Sequence, residues 1–138
     1  MTNILAIETS SVHCSIGLSK NKEIYSMHSQ EENSHGKLIF GFIKDLLKKS
    51  QLEKEDIDLI ALSVGPGSFT GLRVGCSVAQ GLAFGLKKKI LPLSSLNILA
   101  QNVFLDGEAE HLYIVKEAHM NDLYAVSYTH LTLPTIRE

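Results

Sequence analysis

Ser63-Val64-Gly65-Pro66-Gly67-Ser68-Phe69-Thr70-Gly71-Leu72-Arg73-Val74-Gly75 joins an apolar run beginning at Ile57 to a long apolar segment ending at Leu86. The run suits a buried strand and the segment a helix, with glycines, a proline and hydroxyls turning the chain between them. Gly65 and Gly67 can take positive φ, and Pro66 fixes the bend between them. Ser68 or Thr70 can cap the helix by accepting from its free N–H groups. A helix N-terminus wrapped in glycine also offers its dipole and bare N–H groups to an anion. The Gly-Lys-Ser/Thr of a phosphate-binding P-loop is missing, so the spacing favours a tight strand-to-helix turn over a ligand site.

Along the expected helix from Thr70 to Leu86, Gly71, Gly75, Ala79 and Ala83 recur at every fourth position and make a smooth stripe. Leu72, Val74, Val78, Leu82, Phe84 and Leu86 occupy its other faces, and Arg73 is its only charge before Lys87. A helix apolar nearly all round must be covered on more than one side. Either it is sandwiched within the domain or one face meets another protein.

Upstream, Asn3 to Glu8 reads as a buried strand, and Val12, Cys14, Ile16 and Leu18 alternate as a second. Lys20-Asn21-Lys22 turns the chain into a weaker third strand, Glu23 to His28, which completes an antiparallel meander. Asn33 or Ser34 can cap a helix reaching Lys49, with Leu38, Ile39, Phe42, Ile43, Leu46 and Leu47 on one stripe. Gly41 lies inside it, accounted for equally by a close neighbour and by tolerated drift. Downstream, Ile90 to Leu93 suits a short strand, and Ser94 or Ser95 opens a third helix through Asn102. His111 to Lys116 and Leu123 to Val126 then read as a hairpin opening a new unit. Strands first, then helices alternating with strands, predict an α/β fold on a mixed sheet with helices on both faces.

The 138 residues suit a globular domain, with 44% hydrophobic and 20% charged side chains. A net charge of −2 argues against a large phosphate-binding surface. Lys48-Lys49 and Lys87-Lys88-Lys89 stand where helices should end, which dipole compensation explains. Cys14 and Cys76 read as buried free thiols of a reducing cytosol. No secretion signal or membrane span is legible, so a cytoplasmic protein is expected.

Taken together, Gly65 to Gly75 resembles the signature of the TsaB (YeaZ) family of tRNA threonylcarbamoyladenosine biosynthesis proteins. Ile4 to Ser11 with Cys14 to Leu18 is similar to that family's opening hairpin, and Ser34 to Leu38 to the start of its first helix. Glu117 to Tyr124 resembles a further family segment in altered form. The resemblance covers about residues 2–126. It implies the actin-like, ribonuclease-H-like ATPase fold, with residues 1–104 as an N-terminal domain and 105–126 as the beginning of a truncated second domain. Residues 127–138 follow no family pattern and read as a non-native tail.

The resemblance implies a non-catalytic subunit that binds and activates the catalytic subunit TsaD together with TsaE. The modification is threonylcarbamoylation of adenosine 37, and tRNA would be met only through the complex. A homodimer is expected for the chain alone. Family contacts through the first two helices nominate Leu38, Phe42, Gly71, Gly75, Ala79 and Leu82 as interface residues. The rival reading is an ATP-binding or ATP-hydrolysing kinase-like enzyme, with Glu8, Thr9 and Ser10 as the phosphate loop. No cofactor, catalytic residue or metal is expected. His35 is followed four residues later by Ile39, so the histidine pair that holds metal in TsaD is incomplete, and the other histidines are scattered. No Ser-His-Asp set supports a peptidase.

Overall fold

The structure, a computed structural model, describes residues 2–29, 35–105, 112–117 and 123–128. Alternation along the first three strands sends Leu5, Ile7, Ile16 and Leu18 to one face, all within 1% of full burial. These strands are β1 (Ile4–Glu8), β2 (Ser15–Lys20) and β3 (Glu23–His28), paired antiparallel as the expected meander. Val12 falls in the connection before β2 rather than on the strand. A helix, α1 (His35–Ser50), then leads through a short 3₁₀ turn at Lys54–Asp56 into β4 (Leu59–Ser63). α2 (Phe69–Leu86), β5 (Lys89–Leu93) and α3 (Ser95–Leu105) follow.

β4 and β5 add in parallel beside β1, giving the order β3-β2-β1-β4-β5. All five residues of β4 are buried, as an apolar strand inside a covered sheet must be. On one face Leu5, Ile7, Ile16, Leu18, Ile60 and Leu62 meet Ile39, Ile43 and Leu46 of α1 and Val78 and Ala79 of α2. The α1 residues stand at i, i+4 and i+7, the spacing that makes a single helical stripe. Each such side chain contributes roughly 1.5–3 kcal/mol on burial. Ser63 lies on the opposite face by alternation, and its Oγ shares a hydrogen bond of 2.7 Å with Ser95 Oγ at the start of α3. Helices α1 and α2 thus pack on one face of the mixed sheet, and the start of α3 meets the other.

A separate two-stranded sheet is formed by β6 (Leu112–Glu117) and β7 (Leu123–Tyr128). Its register pairs Tyr113 with Ser127 and Leu112 with Tyr128, so the second strand of this hairpin runs two residues past Val126. Residues 129–138 lie outside the described residues, as do the proposed α1 caps Asn33 and Ser34. Among the described residues no helix is long and apolar enough to cross a membrane.

Candidate functional site

β1 and β4 run parallel and end at one edge of the sheet, the edge beyond which open α/β folds place their ligands. The connections leaving these ends meet there. Gly65 has φ 105°, a conformation that favours glycine. Gly67 is different: it is absent from the positive-φ positions, and a Cβ there would lie 2.3 Å from the Ser10 carbonyl oxygen. Close approach, not the expected backbone conformation, requires glycine at that position. Ser68 N–H donates to Ser10 O at 2.7 Å, and Ser68 Oγ caps α2 by accepting from Gly71 N–H at 3.3 Å. Of the two capping candidates, Ser68 takes the role.

The three phosphate-loop candidates are brought together, with Thr9 and Ser10 buried and Glu8 half-buried. Thr9 is fully buried and its hydroxyl donates to Gly71 O at 2.6 Å. The Ser10 backbone N–H donates to Glu8 Oε1 at 2.8 Å, and its hydroxyl donates to the same oxygen. A Cβ at Gly75 would fall 2.3 Å from Thr9 Oγ1, so α2 sits directly on the end of β1. At this edge the chain's own hydroxyls, carbonyls and glycines thus bond and pack against one another.

The small-residue stripe has the same cause and corrects one expectation. Gly71, Gly75 and Ala79 are buried against the sheet, so they are packing residues within the protomer and offer no surface to another protein. Phe42 and Leu82 are half-buried against the core, and Leu38 is also half-buried. Among the described residues of α1 and α2 the exposed large apolar groups are Phe40, Phe69 and Phe84, the last 90% exposed. Arg73 stands over the Phe69 ring at 5.3 Å from its centroid. A surface cavity of about 410 Å³ is lined by Phe69, Thr70, Arg73, Val74, Ser77 and Val78. Its signal in the sequence is the row Phe69, Arg73, Ser77, a fourfold spacing parallel to the glycine stripe.

Gly41 is exposed, with nothing within 4 Å of a Cβ placed there, so a close neighbour does not explain it. Burial pushes the Cys14 thiol above its ordinary value. Ile39, four residues after His35, is buried in the core. Among the described residues no group of three or more His, Cys, Asp and Glu side chains could hold a metal ion. His13 and His28, scattered in the sequence, nevertheless come ring against ring at 5.1 Å.

The family model of TsaD, tRNA N6-adenosine threonylcarbamoyltransferase, matches residues 22–134. The tRNA threonylcarbamoyladenosine biosynthesis protein TsaB of Haemophilus influenzae is 38% identical over 121 residues, 88% of this chain and 51% of that protein. The chain belongs to this family, in its TsaB (YeaZ) branch. TsaB of Escherichia coli is 32% identical over 125 residues, covering 91% of this chain and 54% of that one. The structure of YeaZ from Pseudomonas aeruginosa superposes with a TM-score of 0.89 at 31% identity, over 99% of this chain and 66% of that chain. The actin-like, ribonuclease-H-like fold expected from the motifs is the fold observed. The chain spans about half the length of the curated relatives it matches.

Proposed function

We propose that this chain serves tRNA threonylcarbamoyladenosine formation at position 37 as a non-catalytic, cytoplasmic subunit that binds and activates a TsaD homologue together with TsaE. The reading draws on the relatives named tRNA threonylcarbamoyladenosine biosynthesis protein TsaB. One observation carries the non-catalytic part: the Thr9 hydroxyl, at the place where a kinase of this fold would meet phosphate, is buried and donates to Gly71 O. A phosphate group entering there would have to displace Ser68 from Ser10 and Thr9 from Gly71. Residues 1–104 are the unit assigned this role.

The outer face of α1 and α2 is the surface we assign to protein contacts, both in a homodimer and with TsaD. Phe40, Phe69 and Phe84 supply aromatic area there, and Arg73 a charge that stacks on Phe69. Aromatic residues and arginine are the types that anchor interfaces. tRNA is then reached only through the assembled complex.

Co-expression with a TsaD homologue and TsaE, with modified nucleosides measured by mass spectrometry in a strain depleted of its own TsaB, tests this. Co-purification and restored modification are expected, while ATP titrated into the isolated chain by calorimetry should give no heat of binding. Stoichiometric ATP binding lost in Thr9→Ala would favour the kinase-like alternative instead.

A further inference from the structure

Cys14 and Ser29 bridge the start of β2 to the end of β3. Ser29 N–H donates to Cys14 O at 2.9 Å, and Cys14 N–H donates to Ser29 Oγ at 2.9 Å. His13 and His28 flank this bridge, and their rings are held with centroids 5.1 Å and planes 38° apart. Ser15, the ladder partner of His28, hydrogen-bonds His28 Nδ1 through its Oγ at 2.5 Å. Such an outer contact is how metal-binding imidazoles are oriented, and it leaves Nε2 for an outside partner. The His13 Nδ1 atom is buried and has no hydrogen-bond partner among the described residues. Buried polar atoms are rarely left so, which means that this ring has bonding capacity the described residues do not satisfy.

We propose that His13 and His28 form a two-imidazole site for a divalent first-row transition ion of the zinc(II) or nickel(II) kind, with water completing the coordination. Zinc–nitrogen bonds of about 2.0–2.1 Å, set at a tetrahedral angle, place two imidazole centres about 5 Å apart. The observed 5.1 Å fits that span. Among the described residues no Cys, Asp or Glu joins the pair. Magnesium and calcium, which need several oxygen ligands, are therefore disfavoured, while imidazole suits zinc, nickel and copper. The ion would clasp the β1–β2 connection to the edge strand β3. That connection carries Ser10, whose carbonyl holds Ser68 at the head of α2. The site is a structural clasp, and the proposal does not rest on the tRNA role.

The test uses tag-free protein, zinc chloride and nickel chloride as probes, and calorimetry with thermal melting as readouts. One ion per chain and a raised melting temperature are expected, since an ion that binds only the folded state stabilises it. His28→Gln and His13→Gln should each abolish both effects while far-ultraviolet circular dichroism stays unchanged. His28 is exposed on an edge strand, so its replacement is the milder change. In the unmutated chain, imidazole nitrogen resonances of His13 and His28 should shift together on adding zinc. Binding that persists in both variants, or resonances of the pair that do not move, would overturn the site.

Discussion

The Thr9 hydroxyl reaches across 62 residues of sequence to the Gly71 carbonyl, at 2.6 Å, and Gly75 stands one helical turn further along against the same oxygen. This contact fixes how deep α2 sits on the sheet. It also makes Thr9 a structural residue, where its position at the end of β1 suggests a phosphate ligand.

Thr9→Ala should cost about 1–2 kcal/mol, because it removes a buried hydrogen bond. Gly75→Ala should cost about 1–3 kcal/mol by driving a methyl group into Thr9. The obstacle is the single atom Oγ1, the other neighbours of that Cβ lying at 3.5 Å. The double variant should therefore be more stable than the sum of the singles by roughly 0.5 kcal/mol or more. Urea unfolding of all four proteins reads this, and strict additivity would refute it.

Gly41 and Gly81 are exposed within helices, with open space where a Cβ would go. Gly41→Ala and Gly81→Ala should each stabilise the chain by about 0.5–1 kcal/mol, the cost of glycine in a helix interior. Urea midpoints shifted upward with unchanged slopes would bear this out. A loss of stability would mean that the open space is needed.

Phe84→Asp should leave unfolding within about 0.5 kcal/mol of the parent, as exposed substitutions usually do. The same change should disrupt self-association and TsaD capture if the outer face of α2 is the contact surface. Light scattering and co-purification report the two separately, and a variant that still associates fully would reject that surface.

Cys14 is buried and its thiol is raised, so the folded chain holds that proton more tightly than the unfolded chain. The stability this contributes is whole below the ordinary thiol range and is lost as the pH rises through the raised folded value. Chemical denaturation across mildly alkaline pH should show that decline, absent in Cys14→Ala. A thiol reagent should modify the partly exposed Cys76 in the native state and reach Cys14 only on unfolding.

The elements were legible because their signals are local. Apolar residues alternate through Leu5 and Ile7, recur at helical spacing through Ile39, Ile43 and Leu46, and are separated by turn residues at Lys20 to Lys22 and Gly65 to Ser68. Each of these depends on neighbours within a few residues, so order and type of elements follow from the amino acids alone. The family follows the same way, from motifs that stay contiguous. The face that α2 turns to the sheet is another matter. Its glycine stripe and its Phe69, Arg73, Ser77 row have the same period, and only the groove between β1 and β4 selects one for burial. The role of Gly67 depends on Ser10, the role of Thr9 on Gly71, and the meeting of His13 with His28 on the register of two strands. Those contacts join residues far apart in the chain, and their partners are chosen when the sheet assembles and the helices settle on it.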